Sequence, residues 1–283
     1  MLLVDKPAGP TSHDVVAAAR RALGERRVGH AGTLDPAATG LLVVLAGRAT
    51  RLARFVALLP KRYRGTIRFG CETSTDDAAG EPGERDDGWR GRSDADVAAA
   101  LQRVAARPTQ VPPQVSAKKV AGERAYRRAR RGEAVELAAV PVRIEVLGCG
   151  PLDRDAGEVA VDVECGSGTY VRAIARDVGR ELGSRAHLAA LRRLSIGPWR
   201  VEDAVPLAAL TQGVPALLPL ADAVRHLPVL EVGAGPAEAI THGRKIEEVR
   251  KLDGPVAVFG DGRLLAVAEW HEGRYAPLVV LAP

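Results

Sequence analysis

The stretch Gly29–Leu45, GHAGTLDPAATGLLVVL, sets one carboxylate, Asp35, among small residues and a single His, then runs into five consecutive apolar residues. Leu41–Leu45 has the length and composition of a buried strand. Pro36 biases Asp35 away from the helical region toward an extended or turn conformation. Gly29, Gly32 and Gly40 permit tight turns and the close approach of another molecule to the backbone. A carboxylate on a loop leading into the core can be held rigidly, as a reacting group must be. Taken alone, an Asp-Pro step is a turn starter, so the rest of the chain has to decide.

Working outward, Thr11 and Asp14 form a capping box that opens a helix to about Leu23. Leu52, Phe55, Val56 and Leu59 keep helical spacing and stop at Pro60. The next segment alternates, with Tyr63, Ile67 and Phe69 on one face and Arg62, Arg64, Thr66 and Arg68 on the other, a strand with one buried and one wet side. Ser93 caps a helix whose Val97, Leu101 and Val104 share a face before Pro108. Val159, Val161, Val163 and Cys165 alternate again, Gly166 and Gly168 make a turn, and a helix runs from about Thr169 to Leu182. Asp76–Asp96, acidic and carrying Gly80, Gly83, Gly88 and Gly91, reads as a mobile surface loop. Pro206–Val224 reads as helical with an interruption at Gly213–Pro215, and a boundary is expected near His226-Leu227-Pro228. In the tail, Val256–Phe259 and Leu264–Trp270 flank Gly260-Asp261-Gly262, a hairpin signal, and Leu278–Leu281 forms a last strand. Helices and strands mix without a steady βαβ repeat, which predicts α+β.

At 283 residues the chain can bury a full core and carry one large domain plus a small one. Cys71, Cys149 and Cys165 lie far apart without metal-ligand or disulfide spacing, so a reducing cytoplasm and no metal are expected. The first residues reach Asp5 and Lys6 too soon for a signal-peptide core, and no apolar stretch is long enough to span a bilayer, so a soluble protein without a membrane partner is expected.

The net charge of +5 is modest, but arginines cluster. Lys118, Lys119, Arg124, Arg127, Arg128, Arg130 and Arg131 crowd one segment; Lys61, Arg62, Arg64 and Arg68 form a second group, and Arg192 with Arg193 a third. One such run is usually a solvated surface, whereas several together point to a polyphosphate partner, because the planar guanidinium fork matches phosphate. The element CGSGTYV imitates the start of a dinucleotide fingerprint but has Val171 at the third glycine position and no βαβ repeat around it. It is better read as a tight turn aiming Tyr170 and Arg172 into a pocket. Arg172 sits in a first helical turn, where the dipole and free N–H groups favour an anion, and Asp35 is the natural one.

Six blocks, LLVDKPAGPTSHDVV, GHAGTLDPAATGLL, KRYRGTIRFG, TSTDDAAGE, VPPQVSAKKVAGERAY and GSGTYVRAIARDVGRELGSRAHLAALRRLSIG, resemble in order and spacing the bacterial tRNA pseudouridine-55 synthases of the TruB family. The resemblance implies a pseudouridine-synthase fold: α+β, with a mixed, largely antiparallel sheet flanked by helices. It also implies a catalytic domain over residues 1–224, an RNA-clamping segment at about 117–140, and a small β-rich, PUA-like RNA-binding domain over 225–283. The activity implied is isomerisation of uridine to pseudouridine at position 55 in the T-loop of tRNA, without a cofactor, by a monomer. By the same resemblance Asp35 is the catalytic carboxylate, acting either on the sugar or first as a base, with Arg172 as its partner. Tyr63 stacks on the target base, Leu191 contacts the uracil through its backbone, and Asp77 joins the hydrogen-bond network. His30 fills the space the flipped base vacates. Lys119, Tyr126, Arg127, Arg128, Arg130 and Arg131 belong to the clamp, and Lys6 and Pro7 support the pocket.

Two other functions compete. An RNA glycosylase would share base flipping and an acid, but glycosidase-like chemistry favours a paired second carboxylate, and none is evident near Asp35 in the sequence. A noncatalytic RNA-folding protein would have no need of Asp35, which phosphate repels.

Overall fold

The apolar run at Leu41–Leu45 is completely buried, and the fold is built around it. The computed structural model describes residues 1–115, 137–213, 216–248 and 250–281, with the backbone alone of 119–120 and 123–124. The main sheet contains β1 (Leu2–Lys6), β2 (Val28–His30), β3 (Thr39–Ala46), β4 (Lys61–Phe69), β5 (Ile144–Cys149), β6 (Glu158–Cys165), β7 (Ala186–Ile196), β8 (Trp199–Arg200) and β9 (Val205–Pro206). Its order is β5-β6-β4-β7-β3-β1-β9, with β2 paired to β3 and β8 to β7. Pairing is antiparallel except at β7/β3 and β1/β9, which makes the sheet mixed.

Helix α1 (Ser12–Leu23) starts at Thr11 with the expected capping box, Asp14 N–H donating to Thr11 Oγ1 and Thr11 N–H to Asp14 Oδ2, and Gly24 ends it in the left-handed conformation. Val15, Val16 and Ala19 of α1 pack with Leu42 and Val44, while Leu41, Val43 and Leu45 face the opposite side. Period-two geometry therefore buries β3 on both faces. The helix predicted to end at Pro60 is shorter than its spacing suggests. A 3₁₀ turn, Gly47–Leu52, precedes α2 (Ala53–Ala57), and the Lys61 ammonium caps the carbonyls of Ala57 and Leu59. Helices α3 (Asp94–Ala105, capped by Ser93) and α4 (Val171–Glu181) share a core with β4 and β6.

Four expectations change. The second and third arginine groups, read as part of a charged surface, are largely matched by carboxylates or buried within the protein. Arg64 pairs with Asp162 and Arg68 with Glu158 directly across β4 and β6, and Lys61 is buried. Arg192 pairs with Asp5, and Arg193 is wholly buried. The Asp76–Asp96 segment is not a simple surface loop. Pro82–Arg85 pairs with Cys71–Thr73, and Trp89, buried and stacked on Phe69, pins a 3₁₀ turn. One hidden indole outweighs the acidic and glycine-rich composition around it. Pro206–Val224 forms two 3₁₀ turns, Leu207–Thr211 and Leu220–Val224, each begun by a proline, in place of a helix.

In the tail, β10 (Val229–Glu231), β11 (Ile246–Glu247), β12 (Pro255–Gly260), β13 (Arg263–His271) and β14 (Arg274–Val280) form a sheet of order β10-β12-β13-β14-β11 beside α5 (Ala234–Thr241). The expected Gly260-Asp261-Gly262 hairpin is present, its turn residues Asp261 and Gly262 both at positive φ. Ala257, Val267, Val279 and Leu281 join the cluster of Leu41, Val43 and Leu45, so the tail shares a core with the main sheet. Lys119 falls in a two-residue strand paired with Glu123–Arg124, its side chain outside the described residues; Tyr126, Arg127, Arg128, Arg130 and Arg131 lie outside them altogether.

Candidate active site

Asp35 stands on the loop between β2 and β3, and four neighbours fasten that loop. Ser12 Oγ donates to Leu34 O (3.0 Å) and accepts from Leu34 N–H (2.9 Å). Lys6, fully buried, donates to the carbonyls of Pro7 (2.9 Å), Pro10 (2.8 Å) and Pro36 (3.1 Å). Gly9 N–H donates to Pro36 O at 2.9 Å. Arg193 spreads its guanidinium over Leu41 O (2.7 Å), Gly32 O (3.0 Å) and Thr33 O (3.3 Å). Asp35 O closes a turn by accepting from Ala38 N–H at 3.1 Å. Burial pushes the Lys6 ammonium below its ordinary value, and the nearby Asp35 carboxylate counteracts this.

Arg172, in the first turn of α4, meets Asp35 as its position in the sequence suggested: Nε lies 3.0 Å from Asp35 Oδ2 and 3.6 Å from Asp77 Oδ2. Its fork is spent elsewhere, Nη1 on Thr75 O (2.7 Å) and Nη2 on Val115 O (3.0 Å), so the contact with Asp35 is single. The Arg172 side chain is buried at 7% exposure while Asp35 keeps 42%, leaving the carboxylate open to a visitor and the cation inaccessible. Gly168, at φ 88°, makes the turn that starts α4, and Tyr170 N–H is received by the Gln110 side-chain carbonyl at 3.0 Å.

Asp77 accepts from Thr75 Oγ1 (2.6 Å) and Ala79 N–H (3.0 Å). Its backbone pairs with Leu188 of β7, where a bulge between Leu188 and Ala190 leaves Ala189 without a partner on β4. The bulge, the Asp77 turn and the Asp35 loop border a small open cleft walled by Asp35, Ala38, Asp77, Arg172, Leu188 and Leu191. Leu191 O accepts from Thr39 Oγ1 at 3.4 Å.

Two expected site residues sit apart from these walls. Tyr63 is buried in the cluster that includes Leu34, Ala38 and Leu188, and burial raises its phenol above the usual value while the hydrogen-bonded Arg193 lowers it. His30, at the end of β2, meets His13 edge-on at 5.8 Å. Burial, then the charges of His13 and Arg193, pull its imidazole below the usual value, which keeps the ring neutral at pH 7. Its Nδ1 is buried without a hydrogen-bond partner among the described residues.

Sequence reasoning missed Asp76 and Arg176, which form a buried ion pair at 2.7 Å beside Asp77 and Arg172. The available signal was spacing, because Arg176 is four residues from Arg172 and so shares its helix face. Among the described residues no group of three His, Cys, Asp or Glu is arranged to hold a metal. The site therefore presents one open carboxylate, held by a buried guanidinium, in a cleft lined by Asp77 and by alanine and leucine side chains.

Residues 20–171 match the model of the TruB family pseudouridylate synthase N-terminal domain, and residues 227–282 that of the tRNA pseudouridine synthase II C-terminal domain. The chain is 49% identical to tRNA pseudouridine synthase B of Thermobifida fusca, over all of this chain and 98% of that protein. It is 46% identical to the Nocardia farcinica protein of the same name, over all of this chain and 93% of that one. Among solved structures, a Cbf5-Nop10-Gar1 complex (TM-score 0.72, 24% identity, all of this chain and 84% of that one) has a similar fold. So does the archaeal box H/ACA sRNP Nop10-Cbf5 complex (TM-score 0.70, 23% identity, all of this chain and 86% of that one).

Proposed function

Because the chain belongs to the TruB family of pseudouridylate synthases, we propose that it isomerises uridine to pseudouridine at position 55 in the T-loop of tRNA, with Asp35 as the catalytic carboxylate. The observation that carries the residue assignment is the 3.0 Å pairing of half-open Asp35 with buried Arg172 in the wall of a cleft. The reaction breaks N1–C1′, turns the freed uracil, joins C5 to C1′, and exchanges the proton lost from C5 for one gained at N1, so no net atom or electron enters. Both routes open to Asp35, addition at the sugar and removal of a sugar proton before readdition, begin from an ionised carboxylate. Arg172 holds that carboxylate in place through its 3.0 Å contact.

Unstacking the target base costs roughly a few kcal/mol, and tRNA contacts away from the cleft supply it. His30 fills the vacated space as a neutral ring, Tyr63 supports the base from behind the cleft, and Leu191 and Asp77 orient the uracil. The clamp at about 117–140, with Lys119, Tyr126, Arg127, Arg128, Arg130 and Arg131, grips the T-arm backbone. Residues 1–224 act as the catalytic domain and 225–283 as a PUA-like RNA-binding domain, in a monomer working in the cytoplasm.

The test is Asp35→Asn with unmodified tRNA at saturating protein, followed by mapping of pseudouridine. Product should vanish while tRNA affinity is retained, because phosphate contacts do the holding. Substantial product from the variant would refute the assignment, and free uracil released by the wild type would identify a glycosylase instead.

A further inference from the structure

The face of α4 that carries Arg172 carries a second buried arginine one turn on, and the two are used alike. Arg172 reaches Thr75 O (2.7 Å) on one side and Val115 O (3.0 Å) on the other. Arg176 reaches Asp76 Oδ2 (2.7 Å) and Val111 O (2.8 Å), and its Nε lies 2.9 Å from Asp177 Oδ1. Each arginine thus joins the Thr75–Asp77 turn to the Val111–Val115 run. Asp76 is an unusual hinge for that turn, since it takes φ 60°, a left-handed conformation that L residues other than Asn and Asp seldom adopt. Its N–H donates to Thr73 O (3.1 Å), its carbonyl accepts from Leu188 N–H (3.0 Å), and Ala78 N–H donates to Leu188 O (3.0 Å). Asp77 is therefore delivered to the cleft by a residue whose side chain is locked to Arg176, with both partners almost wholly buried.

We infer that Asp76 and Arg176 form a positioning pair for the isomerisation, fixing where Asp77 and Arg172 stand relative to Asp35 without touching the RNA. The inference rests on Asp35 being the catalytic carboxylate. The pair sets the geometry of the reacting group, while the RNA contacts are made elsewhere. Its loss should slow the chemical step and leave tRNA binding alone, and a pair that only supported the fold would not divide the two in that way.

The experiment measures single-turnover pseudouridine formation at saturating protein beside tRNA affinity and the thermal unfolding midpoint, with Asp35→Asn as a control. Asp76→Ala removes the lock and the left-handed preference together. Its rate should fall about ten- to a hundred-fold, the scale of an ångström-level misplacement, with affinity unchanged. Asp76→Asn keeps an acceptor for Arg176 and tolerates the left-handed backbone, so it should recover most of the rate. If Asp76→Ala does not fold, Arg176→Lys serves instead, because it leaves charge beside Asp76 and Asp177 but cannot also span to Val111 O; the same split is expected. A folded Asp76→Ala or Arg176→Lys protein with wild-type rate, or a loss of rate matched by a loss of affinity, overturns the inference while an inactive Asp35→Asn leaves the catalytic assignment standing. An active Asp35→Asn protein overturns the catalytic assignment itself, and the positioning pair with it.

Discussion

Gly40→Ala should damage both the fold and the active site, and the structure sets the size of the effect. A Cβ at Gly40 would lie 2.2 Å from Arg193 O and 2.7 Å from Arg193 N, against backbone that cannot swing aside. Relieving that overlap requires β3 and β7 to part by about 1 Å at their backbone pairs Arg192↔Thr39 and Arg193↔Gly40. Gly40 also holds φ 103°, which adds about 1–3 kcal/mol of backbone strain for a residue with a side chain. Overpacking adds a further ~1–3 kcal/mol. The sum, about 2–6 kcal/mol, is a large part of a typical domain stability of ~5–15 kcal/mol. The displacement passes to Arg193, which brackets the Asp35 loop at Gly32, Thr33 and Leu41. A shift of that size at the reacting group costs roughly a hundred-fold in rate. Denaturant unfolding and single-turnover rates measure the two effects. Gly29→Ala is the matched control, with nothing within 4 Å of its added carbon and no positive φ, and it should be close to neutral. Wild-type stability and rate for Gly40→Ala would refute the idea that this strand crossing holds the site.

Arg172→Lys keeps a cation but strips donors from the carbonyls of Thr75 and Val115; with each bare carbonyl costing about 1–3 kcal/mol, both stability and single-turnover rate should fall, and a near-wild-type rate would show that charge alone suffices. Lys61, which burial pushes down to about 8 from 10.5, makes the folded state bind fewer protons than the unfolded one between those values. The Lys61 contribution to stability should therefore rise by roughly 3 kcal/mol across that window and be flat below it, and the difference between wild type and Lys61→Met in denaturant titrations at several pH values should show that rise. Changing Arg127, Arg128, Arg130 and Arg131 together to Ala should weaken tRNA binding and flatten its log–log salt slope by about 0.7–0.9 for each phosphate left without a cation. An unchanged slope would place those side chains in solvent.

Local order was legible along the chain alone. The Thr11 and Ser93 capping boxes, the buried run at Leu41–Leu45, the alternation of β4 and the Asp-Gly hairpin are set by residues a few positions apart, whose propensities act before any distant partner arrives. The open carboxylate at Asp35 was legible for the same reason, as was Arg172 at the start of a helix aimed by Gly168. Partnership over long separations was not legible. That Asp162 and Glu158 stand opposite the arginines of β4 was set by the register of β6, and register is fixed only when whole strands pair. Trp89 gave no periodic signal, yet its burial on Phe69 overrode the composition around it. The two buried arginines of α4 were visible as a spacing of four, but what they grip, the Thr75–Asp77 turn and the Val111–Val115 run, lies 57 to 100 residues away along the chain. Charge and hydrogen bonding are satisfied in space, and the sequence orders only the atoms that seek satisfaction.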